Sequence, residues 1–179
     1  MSSDFQLLTE RLRLRPYRLD DVAAAFTVFG DPDVMRYSTS GPDPNLAATE
    51  ARVRKLMDHQ QSFGFSLWVV EDRATGAVLG DCGLKQLDGG PEIEVGYRLA
   101  KPHWGRGYAS EAAEASVRYG FETSALPRIV AVTDHPNAAS QHVLRKIGLK
   151  YQGPAQYYGR EMSYFAVERD EYLARGSAE

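Results

Sequence analysis

Glu94-Val95-Gly96-Tyr97-Arg98-Leu99-Ala100-Lys101-Pro102-His103-Trp104-Gly105-Arg106-Gly107-Tyr108-Ala109-Ser110-Glu111-Ala112 passes from an alternating segment through a pair of glycines into a helical one. In the first part Ile93, Val95, Tyr97 and Leu99 share one face and Glu94, Gly96 and Arg98 the other, the period of a strand from Ile93 to Leu99. From Tyr108 to Glu122 the period lengthens, and Ala109, Ala112, Ala113, Ser116, Val117, Gly120 and Phe121 fall on one side of a helix. Residues that small let a helix lie close on a sheet. Between the two elements Gly105 and Gly107 can take backbone conformations barred to other residues and leave N–H groups exposed. The helix directs its partial positive charge at the same point, so the stretch predicts an anion cradle into which a pyrophosphate would fit.

A glycine pair alone supports more than one reading. The plainest is a tight connection between a strand and a helix. A nucleotide P-loop would need Lys-Ser or Lys-Thr after the glycines, and neither stands there. A dinucleotide fingerprint would need a third glycine or alanine where Ser110 stands, and it follows the first strand of a parallel sheet. Here the upstream runs Phe65 to Val70 and Val78 to Leu84 have strand character, and Asp72-Arg73-Ala74-Thr75-Gly76 and Asp88-Gly89-Gly90 separate successive strands. Such short glycine turns predict consecutive antiparallel strands.

Further towards the start, Arg11-Leu12-Arg13-Leu14-Arg15 alternates as a strand with its leucines on one face. Asp20-Asp21 sit where acidic residues open a helix towards Phe29, and Gly30-Asp31-Pro32 should end it. Tyr37 to Asn45 reads as a loop long enough to be functional, and a second helix runs from about Leu46 to Gln60. Towards the end, a strand from Arg128 to Val132 precedes a helix opened by Asn137 and closed by Gly148. Strand-like segments follow near Leu149-Lys150-Tyr151 and from Met162 to Val167. The order is mixed α/β, beginning as a meander.

Composition narrows the classes. A chain of 179 residues, 43% hydrophobic, suits one compact domain spanning residues 1–179. Lys+Arg number 21 against 24 Asp+Glu, interspersed along the chain, and nothing points to nucleic acid as a partner. No run approaches the ~18 apolar residues of a membrane helix. Met1-Ser2-Ser3-Asp4 lacks the basic and apolar regions of a leader, so the expected location is cytoplasmic, with no membrane partner. Cys82 is the one cysteine, which rules out an internal disulfide and reads as a small buried thiol. His59, His103, His135 and His142 lack metal-ligand spacing, so no metal is expected.

Glu94 to Ala112 resembles motif A of the GNAT superfamily of acetyltransferases, in particular the branch related to ribosomal-protein N-terminal acetyltransferases. Thr9-Glu10-Arg11-Leu12-Arg13-Leu14-Arg15, Asp31-Pro32-Asp33-Val34-Met35, and Asn137-Ala138-Ala139-Ser140 through Lys146-Ile147-Gly148-Leu149 are similar to that branch in the same order. The resemblance implies a single GNAT domain: a mixed, mostly antiparallel sheet that splays after the Glu94 strand, with helices on both faces. It also implies acetyl-CoA as acyl donor, in the split, with its pyrophosphate on Gly105, Arg106, Gly107, Tyr108 and Ala109. Trp104 stands where the family's loop usually opens with Gln or Arg, which bears on side-chain contacts and not on the backbone cradle. An amine acceptor is the implied partner, and a homodimer is left open.

Attack of an amine on a thioester needs a neutral amine, a polarised carbonyl and a proton for the departing thiolate. On spacing alone Glu94 is a solvated strand glutamate. The resemblance makes it the general base, and makes the amides around Val95, Gly96 and Tyr97 the donors to the thioester carbonyl and its arm. Asn137 reads as a helix cap before Ala138-Ala139-Ser140. The resemblance adds a coenzyme A contact for Asn137 and gives Ser140 the role of acid, because Val143, Leu144 and Arg145 supply no tyrosine at the position many members use. Tyr157, Tyr158, Glu161, Phe65 and Trp68 read as core or surface residues, though family members often line the acceptor cleft from these regions. Protein α-amines, polyamines, amino acids and aminoglycosides all fit as acceptors. Ribosomal-protein N-termini are what the branch suggests, and a non-catalytic acyl-CoA-binding module is the reading of a different class.

Overall fold

The computed structural model describes residues 5–176, so Met1-Ser2-Ser3-Asp4 lies outside the described residues. The strands are β1 (Leu7–Leu8), β2 (Leu12–Arg15), β3 (Leu67–Asp72), β4 (Val78–Gln86), β5 (Ile93–Leu99), β6 (Arg128–Thr133), β7 (Lys150–Tyr157) and β8 (Arg160–Glu168). The helices are α1 (Val22–Phe29), α2 (Leu46–Phe63), α3 (Tyr108–Glu122), α4 (Ala138–Lys146) and α5 (Arg169–Gly176). All strands join one sheet in the order β1-β2-β3-β4-β5-β6-β8-β7. Every pairing is antiparallel except β5 with β6.

Period-two alternation distributes the side chains between two layers of core. Trp68 and Val70 on β3 turn towards α3 and α4, where they join Leu12, Leu14, Leu84, Val117, Phe121 and Leu144. Val69 turns to the opposite face and packs with Ala25, Val28 and Phe29 of α1 and Val53 of α2. Helices therefore cover both faces, as expected. Among the described residues no helix is long and apolar enough to cross a membrane.

The ends of several elements shift from the expected ones for local reasons. The second helix runs on to Phe63, because Gly64 takes the left-handed conformation at φ 77° and its N–H closes on the Gln60 carbonyl. The third strand begins at Leu67 instead of Phe65 and extends to Asp72, whose carboxylate then caps the turn at Ala74 and Thr75. The first helix is preceded by a 3-10 turn at Leu19–Asp21 that contains the acidic pair. β1 and α5 have no counterpart among the expected elements.

Close packing of β4 against the start of β3 depends on a glycine. A Cβ on Gly83 would lie 2.0 Å from the Ser66 carbonyl oxygen, a backbone atom that cannot move without breaking the ladder. Gly83→Ala is expected to cost about 2–3 kcal/mol, which thermal melting would read as a drop of roughly 5–10 °C. An unchanged melting temperature would contradict this packing.

Candidate active site

The turn from β5 into α3 is held from outside by Arg11. Its Nη1 donates to the Arg106 carbonyl at 3.0 Å, and its guanidinium lies 4.4 Å from the centre of the Tyr108 ring. Gly105 and Gly107 take left-handed conformations at φ 72° and 79°, which is why glycine stands at both. Gly107 is the N-cap of α3 and has no side chain to satisfy the first turn. Within the described residues the amides of Gly105 to Ser110 donate no hydrogen bond. Glu111, the acidic residue of that turn, is drawn aside: its carboxylate accepts from Thr9 Oγ1 at 2.6 Å, the Arg11 amide at 2.9 Å and Arg11 Nε at 2.7 Å. Burial would raise its pKa, but those three donors outweigh it and hold the carboxyl below its ordinary value.

All residues from Gly105 to Ser110 except Arg106 border a cavity of about 820 Å³ between the loop, α3 and α4. Trp104, Gly105, Gly107, Tyr108, Ala109, Tyr97, Asn137 and Ser140 all line it. The basic groups on its wall are Arg36, Arg98, Lys101, His103, His142 and Lys146, and Asp33 is its single carboxylate. A wall of that sign, on a chain whose formal charge is −3, suits a polyanion. The volume is that of a ligand cleft. Trp104 is anchored by its indole Nε1, which donates to the Leu99 carbonyl at 2.7 Å, while the ring stays half exposed. Arg106, by contrast, lines neither this cavity nor the one beside it, and its carbonyl is turned to Arg11.

The second cavity, of about 200 Å³, opens where the sheet splits. β4 and β5 pair from Gly80↔Leu99 to Gln86↔Ile93, whereas β5 and β6 share only Glu94↔Val130. Past that point the strands part, and Val95, Gly96 and Tyr97 face Ala131, Val132 and Thr133 across the opening. Tyr37, Ser38 and Thr39, from the loop expected to be functional, form part of its wall. Val34, Tyr37, Tyr97, Arg98, Asn137 and Ser140 border both cavities, so the two meet along these residues.

Asn137 caps α4 as expected, its Oδ1 accepting from the Ser140 amide at 3.2 Å. Ser140 is thereby presented to Tyr97, whose hydroxyl donates to the Ser140 carbonyl at 3.0 Å and lies 2.9 Å from Ser140 Oγ. Burial raises the pKa of the Tyr97 phenol well above its ordinary value, against the smaller opposing effect of the Ser140 hydrogen bond. It therefore stays protonated. A tyrosine hydroxyl is present at this helix after all, supplied by β5 instead of by α4.

Glu94 departs from the solvated strand glutamate that spacing suggests. It is 5% exposed, because the turn between β7 and β8 folds Tyr158 over it. The Tyr158 hydroxyl donates to Glu94 Oε1 at 2.5 Å, and Lys85 Nζ lies 3.2 Å from the same oxygen. Lys85 also donates to the Tyr158 oxygen at 3.2 Å, as does the Asp88 amide at 3.1 Å. Burial works against the Lys85 charge, but Glu94 and Tyr158 more than offset it and its pKa lies above the ordinary lysine value. Tyr158 stands at φ 53° beside Gly159, and its amide donates to Asp88 Oδ2 at 2.8 Å, which fastens the turn in place.

The structure thus gathers Glu94, Val95, Gly96, Tyr97, Asn137 and Ser140 at one opening, with Trp104, Gly105, Gly107, Tyr108 and Ala109 along the adjoining cavity. Lys85 and Tyr158 were not singled out together from sequence. Counting outward from Asp88-Gly89-Gly90 sets Lys85 opposite Ile93; the connection formed by the 3-10 turn Leu87–Gly89 and the residues after it moves the register by one and pairs Lys85 with Glu94. Tyr158, 64 positions away, had a signal only through the resemblance, which sets its region at the acceptor cleft and says nothing of its contact with Glu94. Cys82 is fully buried 3.5 Å from Ser116 Oγ, and burial pushes its thiol up to about 12, which leaves it inert as a nucleophile. Among the described residues no group of three or more His, Cys, Asp or Glu could hold a metal ion.

Residues 11–150 match the family model described as acetyltransferase (GNAT) domain. The chain is 36% identical to the Bacillus subtilis protein YkkB over 96% of its own length and 99% of the relative's. An uncharacterised N-acetyltransferase of Bacillus licheniformis is 32% identical, with 93% of this chain and 97% of that one covered. Among solved structures, a GNAT-family acetyltransferase from Bacillus anthracis superposes with a TM-score of 0.81 at 26% identity, covering 93% of this chain and all of that one.

Proposed function

Because the chain belongs to the GNAT acetyltransferase family, we propose that it acts in the cytoplasm as one catalytic domain that moves the acetyl group of acetyl-CoA onto a protein N-terminal α-amine. A ribosomal-protein N-terminus is the acceptor suggested by the branch it resembles. The acetyl-CoA thioester supplies the activated acyl carbon. The charge of the small cavity carries the choice of acceptor. Its ionisable wall consists of Lys85, Glu94 and Arg98 with the phenols of Tyr37, Tyr97 and Tyr158. Lys85 is answered by Glu94, and Arg98 by the buried Asp81 through contacts of 3.0 and 2.7 Å. A polyamine or aminoglycoside would need several carboxylates there. The wall's single carboxylate, Glu94, already pairs with Lys85, so the cavity suits an amine that arrives partly neutral: an α-amine of pKa ~8 is roughly a tenth neutral at pH 7, whereas a lysine at ~10.4 is neutral about once in a few thousand.

In this reading the amides of Gly105, Arg106, Gly107, Tyr108 and Ala109 hold the pyrophosphate, and Trp104 and Asn137 flank the arm that leads to the split. Glu94 accepts the proton of the incoming amine. The amides around Val95 and Gly96 receive the negative charge that grows on the thioester oxygen. Ser140 gives a proton to the departing sulfur, and Tyr97 orients that hydroxyl. Ser140→Ala is expected to slow turnover by ~10–10²-fold, less than loss of the base, because the Tyr97 hydroxyl lies close enough to give a proton in its place. Stopped assays of coenzyme A release would measure it, and an unaltered rate would remove Ser140 from the reaction. The acceptor is tested on a panel of peptides, amino acids, polyamines and aminoglycosides at equal concentration. Peptides with free N-termini should release thiol fastest. A polyamine or aminoglycoside outrunning them would overturn the acceptor assignment.

A further inference from the structure

We propose that this chain acetylates its own Lys85, making that lysine a modification site within the acceptor cavity; the inference rests on the transfer chemistry proposed above. Lys85 Nζ occupies the position that an acceptor ammonium would take, 3.2 Å from Glu94 Oε1 and 5.3 Å from the centre of the Tyr158 ring. Carboxylate, phenol oxygen and ring face together form a seat for an ammonium, and the protein fills it with its own side chain. Of the lysines lining the two cavities, Lys101 and Lys146 border the large one, and only Lys85 shares the small one with Glu94, Val95, Gly96 and Ser140. Lys85 is not sealed in: its side chain keeps 35% of its surface exposed, against 7% for Glu94. A flexible four-carbon stem gives its nitrogen reach within that cavity.

The step balances with the groups at hand. The Lys85 ammonium passes one proton to Glu94, which returns it to water. The neutral nitrogen attacks the thioester carbon, the C–N bond forms and the C–S bond breaks. The second proton lost by nitrogen is matched by the one the sulfur gains, through Ser140. Lysine ammonium and acetyl-CoA become acetyl-lysine, coenzyme A thiol and one released proton. The product carries no charge, so Glu94 loses its ion pair and an amide stands where the acceptor ammonium would dock. Self-acetylation would therefore slow transfer to any other amine.

The test uses the full chain with isotope-labelled acetyl-CoA and no added amine, followed over time by peptide mass spectrometry, with acetyl-CoA binding measured in parallel by calorimetry. Lys85 should take up label roughly tenfold faster than exposed Lys55, Lys101, Lys146 and Lys150, at a rate per molecule that does not change on dilution. Glu94→Gln should remove that lead, and Lys85→Arg should leave only the slow labelling of the exposed lysines. Label confined to exposed lysines in a protein that binds acetyl-CoA would overturn this inference and leave the transferase reading standing. Equal labelling of Lys85 in wild type and Glu94→Gln would mark simple chemical acetylation and overturn it as well. Failure to bind acetyl-CoA would overturn both.

Discussion

Glu94→Gln is expected to lower kcat by ~10²–10⁴-fold while acetyl-CoA affinity stays within about twofold of wild type. The amide keeps the shape of the carboxylate and can still accept from the Tyr158 hydroxyl, so the turn between β7 and β8 should remain closed over β5. What it loses is the proton-accepting charge. The affinity should survive because Glu94 lines only the small cavity, away from the glycine loop. The variant should also change its response to pH. With no base in the protein, turnover depends on the fraction of amine already neutral, which grows about tenfold per pH unit below an amine pKa of ~8. Steady-state kinetics between pH 6 and pH 9 would show a steep rise for the variant and a shallower one for wild type. Superposable profiles at similar rates would take the base role away from Glu94.

Gly107→Glu is expected to weaken acetyl-CoA binding by ~100-fold or more, read by calorimetry, with kcat at saturation little affected. Two costs combine. Any side chain at φ 79° is strained by roughly 1–2 kcal/mol, and a carboxylate placed at a helix N-terminus meets the diphosphate it should attract, a repulsion of about 1–2 kcal/mol at a solvated surface. A third follows from the neighbourhood. A Cβ at this position would lie 3.4 Å from Arg11 Nη2, so the new carboxylate can draw Arg11 away from Glu111 and from the Arg106 carbonyl. Gly107→Ala separates these contributions, since it carries the strain alone and should cost roughly tenfold. Wild-type affinity in the glutamate variant would mean that the anion is held elsewhere.

The parts of this molecule that follow from short-range chemistry were legible in the sequence. The strand Ile93–Leu99 and the helix Tyr108–Glu122 have the ends that their periods indicate, because the alternation and the small-residue stripe each meet a partner surface of the matching kind. The split after Glu94 came from resemblance and not from spacing, since nothing within β5 announces that its neighbour pairs at one residue. β7 extends to Tyr157 although Gly153 and Pro154 interrupt its strand character; it is an outer strand, where a missing amide donor costs no ladder bond on the open side. The burial of Glu94 was illegible for a different reason. It depends on Tyr158 and Asp88, which stand at φ 53° and 49° and hold one another through two hydrogen bonds across 70 positions. Asp88 before Gly89 is a residue that accepts such a conformation, but a tyrosine does not advertise it. Thr9 and Arg11 show the converse: they stood out as a matched segment, and only the structure shows their physical task, which is to pull Glu111 away from the helix mouth.

The parting of β5 from β6 has a bearing on how this protein responds to its donor in solution. Backbone groups in an antiparallel pair point alternately to either side, so every second amide of β5 past Glu94 is aimed into the gap and lacks the neighbour that Val130 provides at the one shared rung. Those protons should trade with deuterated solvent quickly, while the ones directed at β4 trade slowly. An extended arm lying along β5 would mend the ladder there, slowing the fast set alone and tying the two halves of the sheet into a single cooperative unit.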